Sequence, residues 1–149
     1  WESGGFGYGD LSYYTKGSLA GFLFDAAIRD STDGAKSLDD VMRLLYERHK
    51  LPKPGYAEDE LRKTISEVAG RDLGPLYDRM VRSTQELPYE MLAKIGLTVV
   101  DESERAFLGA VRGNGPSVGR YVLRRIENPD ARTLRLYGEW LQRSKPSTR

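Results

Sequence analysis

One stretch constrains the fold of this chain more than any other, and it runs from residue 12 to residue 29. Its apolar residues recur at helical spacing and cover most of the circumference: Leu19, Phe22, Leu23, Ala26 and Ala27, with Ala20, Phe24 and Ile28 beside them. A helix with so little polar surface is stable only when other helices pack around it. The stretch therefore predicts a central helix. Its polar head, which carries Tyr13, Tyr14 and Lys16, is the predicted place for chemistry.

Capping and breaking residues divide the chain that follows into further helices. One predicted helix begins at the cap Ser37 and runs to about residue 50, and the next spans residues 57–69 with Gly70 as a left-handed cap. A further helix begins at the cap Asp72 and has Pro75 in its first turn. A short helix at residues 88–95 ends at Gly96. A last helix follows residues 128–130 and places Leu134, Tyr137, Trp140 and Leu141 on one face.

Three short runs of β-type sequence lie before that last helix, at residues 97–100, 106–111 and 121–126. The connection between the second and third runs is rich in glycine and other turn residues, which favours a hairpin. The predicted fold is therefore mainly α: a bundle of about five helices with a small β-hairpin element and a C-terminal helix.

Charge is unevenly distributed along the 149 residues, although the net charge is only +1. Residues 1–100 sum to −3 and residues 101–149 to +4, which predicts a boundary near residue 100. The low net charge argues against nucleic acid as a partner. No apolar run approaches the roughly 18 residues of a membrane span. The compartment stays open between cytoplasmic and periplasmic or secreted.

The first residues suggest that the chain belongs to something longer. It begins with Trp1 rather than Met, so we expect a processed product, an excised segment or the ordered part of a larger protein. Residues 1–10 interleave four glycines with aromatic side chains, and such a segment does not form a helix. It is either a loop that lines a substrate cleft or a surface connection whose aromatic residues pack on the body.

Several kinds of catalytic site are excluded or disfavoured by composition. The chain has no cysteine and a single histidine, His49, and it lacks H-E-x-x-H, so no metal ligand set is predicted. His49 stands between Arg48 and Lys50 and is expected to face solvent. No serine lies in G-x-S-x-G. The acidic groups at residues 39–40 and 58–60 fall in predicted first turns, where capping and the helix dipole explain them.

Residues 13–17 read Y-Y-T-K-G, and together with the sequence that follows they resemble a known family. Further motifs continue the resemblance in order: S-L-D-D-V-M-R-L-L-Y-E-R at 37–48, G-Y-A-E-D-E-L at 55–61, V-A-G-R-D-L-G-P-L-Y-D-R-M-V-R at 68–82 and E-L-P-Y at 86–89. The chain up to about residue 100 resembles the C-terminal helical part of the glycyl aminopeptidase family, zinc metallopeptidases related to thermolysin and to the larger zinc aminopeptidases.

The resemblance implies a role for Tyr14. In the related zinc aminopeptidases, the tyrosine of a Y-x-K-G motif binds the oxyanion of the tetrahedral intermediate, and Tyr14 matches it by its spacing to Lys16 and Gly17. A phenol on a rigid helix is a preorganised donor for developing negative charge. Tyr13 is the second candidate, and Lys16 is expected to order the helix start. The alternative for Tyr14 is a core tyrosine with a satisfied hydroxyl.

The chain departs from the family in two ways. The zinc-binding H-E-x-x-H helix and its downstream glutamate precede this region in the family and are missing here. The PDZ domain of the family is also missing: residues 107–110 resemble its start and residues 120–141 the segment after it. The resemblance thus implies two parts: residues 1–100 are the helical part of a catalytic domain, and residues 101–149 are a small basic β-hairpin followed by a helix.

Two functions follow as expectations. The chain is the C-terminal portion of a zinc aminopeptidase, inactive alone, whose partners are an upstream segment with the zinc site, in the same or another chain, and a peptide substrate. Alternatively, it is a non-catalytic structural or binding subunit of a larger assembly, with the aromatic N-terminal loop and the basic segment 120–149 as contact surfaces. An amphipathic face in solvent also explains that basic segment.

Overall fold

The structure is a computed structural model that describes residues 13–53, 55–57, 59–101 and 121–143; the side chains of residues 13–15, 101, 121 and 143 lie outside this description. The elements in order are α1 (Tyr13–Ser31), α2 (Leu38–His49), α3 (Glu60–Ala69), α4 (Gly74–Val81), a 3-10 helix (Tyr89–Ile95), β1 (Leu97–Asp101), β2 (Tyr121–Arg125) and α5 (Ala131–Arg143). The mainly helical fold with a small antiparallel sheet and a C-terminal helix is confirmed. None of the described helices is long and apolar enough to cross a membrane.

Helix α1 is the centre of the core, as its sequence predicts. Leu23, Ala26, Ala27 and Ile28 are almost completely removed from solvent. They pack with buried side chains of the surrounding helices: Val41, Leu45, Ile65, Met80, Leu92 and Ile95. Burial of this many apolar side chains is the main favourable term in the stability of the fold.

Local chemistry sets most of the helix ends. Ser37 is the N-cap of α2, and the Asp40 carboxylate accepts a hydrogen bond from the Ser37 backbone N–H at 2.8 Å. Gly70 ends α3 with positive φ, as the sequence predicts, and Gly96, where the sequence predicts a helix end, also has positive φ. The helix predicted from residue 57 begins at Glu60, and the helix predicted at 88–95 is a 3-10 helix.

The two strands pair antiparallel, with Leu97 opposite Arg125 and Val99 opposite Leu123. The observed sheet therefore joins the first and third predicted β runs. The second run, residues 106–111, and the connection after it lie outside the described residues, as does the N-terminal loop at residues 1–10.

Helix α5 returns to the N-terminal half of the chain. Its Leu136 is fully buried in the core cluster, and the ring of Trp140 packs against that of Phe22 of α1, tilted by 40° with ring centroids 5.6 Å apart. Gly34, just after α1, has φ +86°, and an added Cβ there would meet Leu136 and Glu139 of α5. The division near residue 100 stays a prediction, but both sides of it contribute to this core.

Candidate functional site

The head of α1, where the sequence predicts chemistry, is at the surface of the helical body. Lys16 Nζ donates to the backbone carbonyl of Ser83, 3.4 Å away, and thereby ties the first turns of α1 to the segment after α4. Gly17 and Ser18 are exposed, and no atom of the described residues lies within 4 Å of a Cβ built at Gly17. Tyr13 and Tyr14 begin α1, but the positions of their side chains lie outside the described part.

A cleft continues from this head along α1, and we call it the α1–α2 cleft. It encloses about 430 Å³ and is lined by Ser18, Gly21, Phe22, Asp25, Arg29, Leu38, Asp39 and Trp140. Three helices form its wall: α1, the start of α2, and α5 through Trp140. A volume in this range suits a small organic ligand.

Asp25 and Arg29 form a buried ion pair inside this cleft. The side chain of Arg29 is 4% exposed and that of Asp25 is 14% exposed, and Arg29 Nε donates to Asp25 Oδ2 at 2.6 Å. The other oxygen, Asp25 Oδ1, accepts the backbone N–H of Leu38 at 2.9 Å. Asp25 therefore fixes both the arginine and the first turn of α2.

Sequence reasoning missed this pair, although a signal was present. Asp25 and Arg29 lie one helical turn apart in the apolar part of α1, and that spacing places their side chains next to each other. A charged pair within an apolar helix is buried with it, and buried charges need partners.

A second cleft, the α1–α5 cleft, lies at the other end of α1. It encloses about 730 Å³ and is lined by Asp30, Ser31, Asp33, Ala131, Arg132 and Arg135. Arg132 donates to Asp30 Oδ1 at 2.8 Å and to Asp33 Oδ1 at 3.0 Å. Arg135 Nη2 lies 2.6 Å from Asp33 Oδ2. These contacts clamp the start of α5 to the end of α1.

The charges of the α1–α5 cleft shift one another in the expected directions. The guanidinium of Arg135, which donates to Asp33, holds the pKa of that carboxyl below its ordinary value. In turn, Asp30 raises the pKa of Arg132 and Asp33 raises that of Arg135. The backbone N–H of Thr133 donates to Asp130, which caps α5, and lowers the pKa of that carboxyl. These shifts favour the charged forms of Asp33, Asp130, Arg132 and Arg135.

His49 is less exposed than the sequence predicts, and the expectation that it faces solvent is wrong. Its side chain is 23% exposed, with Nε2 buried 3.8 Å from Glu60 Oε1 and the ring against Tyr56. The cause is the packing of α3, which brings Glu60 to the end of α2. Nearby, Arg48 pairs with Glu67 at 2.7 Å, and this hydrogen bond lowers the pKa of the Glu67 carboxyl.

Within the described ranges, no three His, Cys, Asp or Glu side chains stand close enough together to hold a metal ion. Asp39 and Asp40 lie in the first turn of α2, as the capping explanation requires. Asp59 pairs with Arg82 at 2.5 Å, and the hydrogen bond from Arg82 lowers its pKa. Glu58 lies outside the described residues.

Comparison of the chain with protein-family models, with curated proteins and with solved structures gives no match in any of the three.

Proposed function

We propose that this chain is the C-terminal helical portion of a zinc-dependent aminopeptidase of the glycyl aminopeptidase type, and that Tyr14 stabilises the oxyanion there. The observation that carries the proposal is the Y-Y-T-K-G motif at the head of a helix whose later turns are buried. A donor on a rigid element costs little reorganisation when negative charge develops on the scissile carbonyl oxygen.

The surroundings of the motif support the proposal. Lys16 is bonded to the carbonyl of Ser83, in keeping with the ordering role expected for it, and the exposed Gly17 leaves room for another segment beside the helix head. Within the described residues no side-chain group fits a zinc ion. On this proposal the zinc ligands belong to an upstream segment, and the chain alone is inactive towards peptides.

The test uses the longest product of the source reading frame, or the assembly that contains this chain. That product should contain H-E-x-x-H ahead of Trp1 and should bind zinc in a metal assay. Tyr14→Phe should lower kcat on the order of a hundredfold, because one oxyanion donor is lost. Zinc content and the circular dichroism spectrum should not change.

Tyr13→Phe is the matched control, since it removes the neighbouring hydroxyl from the same turn. We expect a much smaller effect on kcat. An unchanged kcat in Tyr14→Phe would remove Tyr14 from the mechanism, and a product without any zinc-binding segment would end the peptidase proposal.

A second function is favoured by a separate observation. Met42 and Tyr46 on α2 and Leu51 after it are large apolar side chains left mostly exposed. Met42 and Tyr46 lie one helical turn apart and so share one face of α2, and adjacent exposed apolar side chains can form part of a contact surface with another protein. In a non-catalytic subunit of a larger assembly, Met42→Glu with Tyr46→Glu would reduce the assembled mass in sedimentation, whereas Tyr14→Phe would leave it unchanged. An unchanged mass in the double variant would contradict a subunit role for this surface.

A further inference from the structure

Arg29 is a buried cation whose hydrogen-bonding capacity is only partly used. Its Nε donates to Asp25, but its Nη1 is buried and has no hydrogen-bond partner within the described part of the chain. A guanidinium has five N–H donors in a planar fork that matches two acceptor oxygens. An unpaired donor on a buried charge is unfavourable, so this fork is suited to a further acceptor.

Asp25 is not that acceptor. Its Oδ2 accepts from Arg29 Nε and its Oδ1 from the backbone N–H of Leu38. A turn of the carboxylate towards Nη1 would break the bond that fixes the start of α2. Among the described residues, Asp25 is the one carboxylate paired with Arg29.

The cleft beside Arg29 indicates what the acceptor belongs to. Phe22 and Trp140, with ring centroids 5.6 Å apart, contribute an aromatic wall to the same cleft. Asp25 and Asp39 also line it, so a ligand with two negative charges would meet two carboxylates. A ligand with one negative charge therefore meets less repulsion here than a ligand with two, and its apolar body would lie against the rings of Phe22 and Trp140.

We propose that the α1–α2 cleft binds a small monocarboxylate with an aromatic or aliphatic body, whose carboxylate pairs with the free side of the Arg29 guanidinium. Because Nη1 is closed off from solvent, the ligand must displace a lining side chain to reach it. This inference does not rest on the peptidase proposal, since it uses neither the tyrosines nor Lys16.

The test is a titration of the ¹⁵N-labelled 149-residue chain, followed by amide and indole N–H signals. The probes are phenylacetate and phenylacetamide, which have nearly the same shape and differ in charge, with inorganic phosphate as a third. Phenylacetate should cause saturable shifts at the Trp140 indole, the Gly21 and Phe22 amides and the Arg29 Nε–H. It should bind on the order of 10- to 100-fold more tightly than phenylacetamide, because a charge-assisted hydrogen bond is lost in the amide. Phosphate should bind more weakly than phenylacetate.

Two variants sharpen the result. Arg29→Lys keeps the charge but loses the fork, so it should weaken phenylacetate binding and reduce the preference for phenylacetate over phenylacetamide. Arg132→Lys is the matched control in the α1–α5 cleft, and it should leave the affinity for phenylacetate unchanged.

Four outcomes would overturn the proposal: no saturable shift with phenylacetate, equal affinity for acid and amide, shifts confined to other parts of the protein, or full affinity in Arg29→Lys. The first would mean that the arginine is satisfied within the protein itself. The acid–amide comparison is made on the unmodified chain, so it remains decisive even where Arg29→Lys fails to fold.

Discussion

The two clefts along α1 use arginine in opposite ways. In the α1–α5 cleft, Arg132 and Arg135 lie near solvent and meet Asp30 and Asp33 through several short contacts. In the α1–α2 cleft, Arg29 is almost fully buried, and Asp25 is its side-chain partner among the described residues. The exposed cleft is therefore rich in pairs that each contribute little, while the buried cleft depends on one pair that is costly to break.

The number of ion pairs at a cleft therefore does not by itself indicate what the cleft does. The larger cleft has its charges matched within the protein, and the matching explains it as a clamp between two helices. In the smaller cleft, Arg29 Nη1 has no acceptor among the described residues; a buried polar atom of this kind requires an explanation, and the one we propose is a ligand.

The largest expected effect comes from Leu136, the side chain through which α5 packs into the core. Leu136→Ala should lower the free energy of unfolding by about 3 kcal/mol, because it leaves a cavity at a fully buried site. Urea unfolding followed by circular dichroism measures it. Leu134→Ala is the control on the same helix, where the side chain is 46% exposed and the change should be within about 0.5 kcal/mol. Equal losses in both variants would contradict the described placement of α5.

A direct comparison of the clefts pairs Asp25→Asn with Asp33→Asn. Asparagine at residue 25 keeps an acceptor for Leu38 but leaves the buried charge of Arg29 without its counter-ion. We expect a loss of about 3 kcal/mol in the free energy of unfolding, measured in urea. Asp33→Asn, which removes exposed pairs, should shift the urea midpoint far less. If the two variants lose the same stability, the contrast between the clefts fails.

A smaller effect is expected at the turn between the clefts. Gly34 has φ +86°, and an added Cβ would meet Leu136 and Glu139. Gly34→Ala should therefore cost about 1 to 2 kcal/mol, measured as a lower urea midpoint. In Gly138→Ala, on α5, the new Cβ meets no described atom within 4 Å. That control should be neutral or raise stability by up to about 1 kcal/mol through helix propensity, and a matching loss there would contradict the steric explanation.

The smallest expected effect is the dependence of stability on acidic pH that arises from Asp33 in the α1–α5 cleft. Asp33 has a folded pKa below its ordinary value of 3.8, so its pairing stabilises the fold above that value and is lost as pH falls through the folded pKa. The contribution of Asp33 to the free energy of unfolding should be level from about pH 7 to about pH 5 and should then fall.

The matched variant for acid sensitivity is Asp33→Asn, and urea midpoints at several pH values measure its effect. Asp33→Asn should flatten part of this fall, and about 1 M salt should reduce the difference between variant and wild type by screening. A variant that follows the wild-type curve at every pH would show that the pairing of Asp33 adds nothing to stability.

Local signals in the sequence predict the helices and several of their ends, because caps act within one turn; the N-cap predicted at Asp72 is wrong, since Leu73 occupies that position. Ser37, Gly70 and Gly96 are all found where the sequence places them. The 3-10 geometry of residues 89–95 is not predicted, since the apolar spacing of so short a segment fits either helix type.

The features that depend on distant residues are not predictable in this way. The partial burial of His49 results from α3 lying against α2, and no property of the residues next to it indicates this. The cleft at Arg29 requires Trp140 from α5, which only the tertiary fold supplies. The charged pair at residues 25 and 29 is the part of that cleft that the sequence itself indicates, through its one-turn spacing. Tyr14 remains a prediction from the resemblance.

The clamp between Asp30 and Arg132 joins residues 102 positions apart in the chain. A contact of such long range closes a large loop, and the loss of chain entropy on closing that loop opposes its formation early in folding. We therefore expect α5 to dock late on the folding pathway, after α1 to α4 have assembled. Substitutions at this seam would then accelerate unfolding while leaving the folding rate nearly unchanged, so the seam sets how long the native state persists rather than how quickly it is reached.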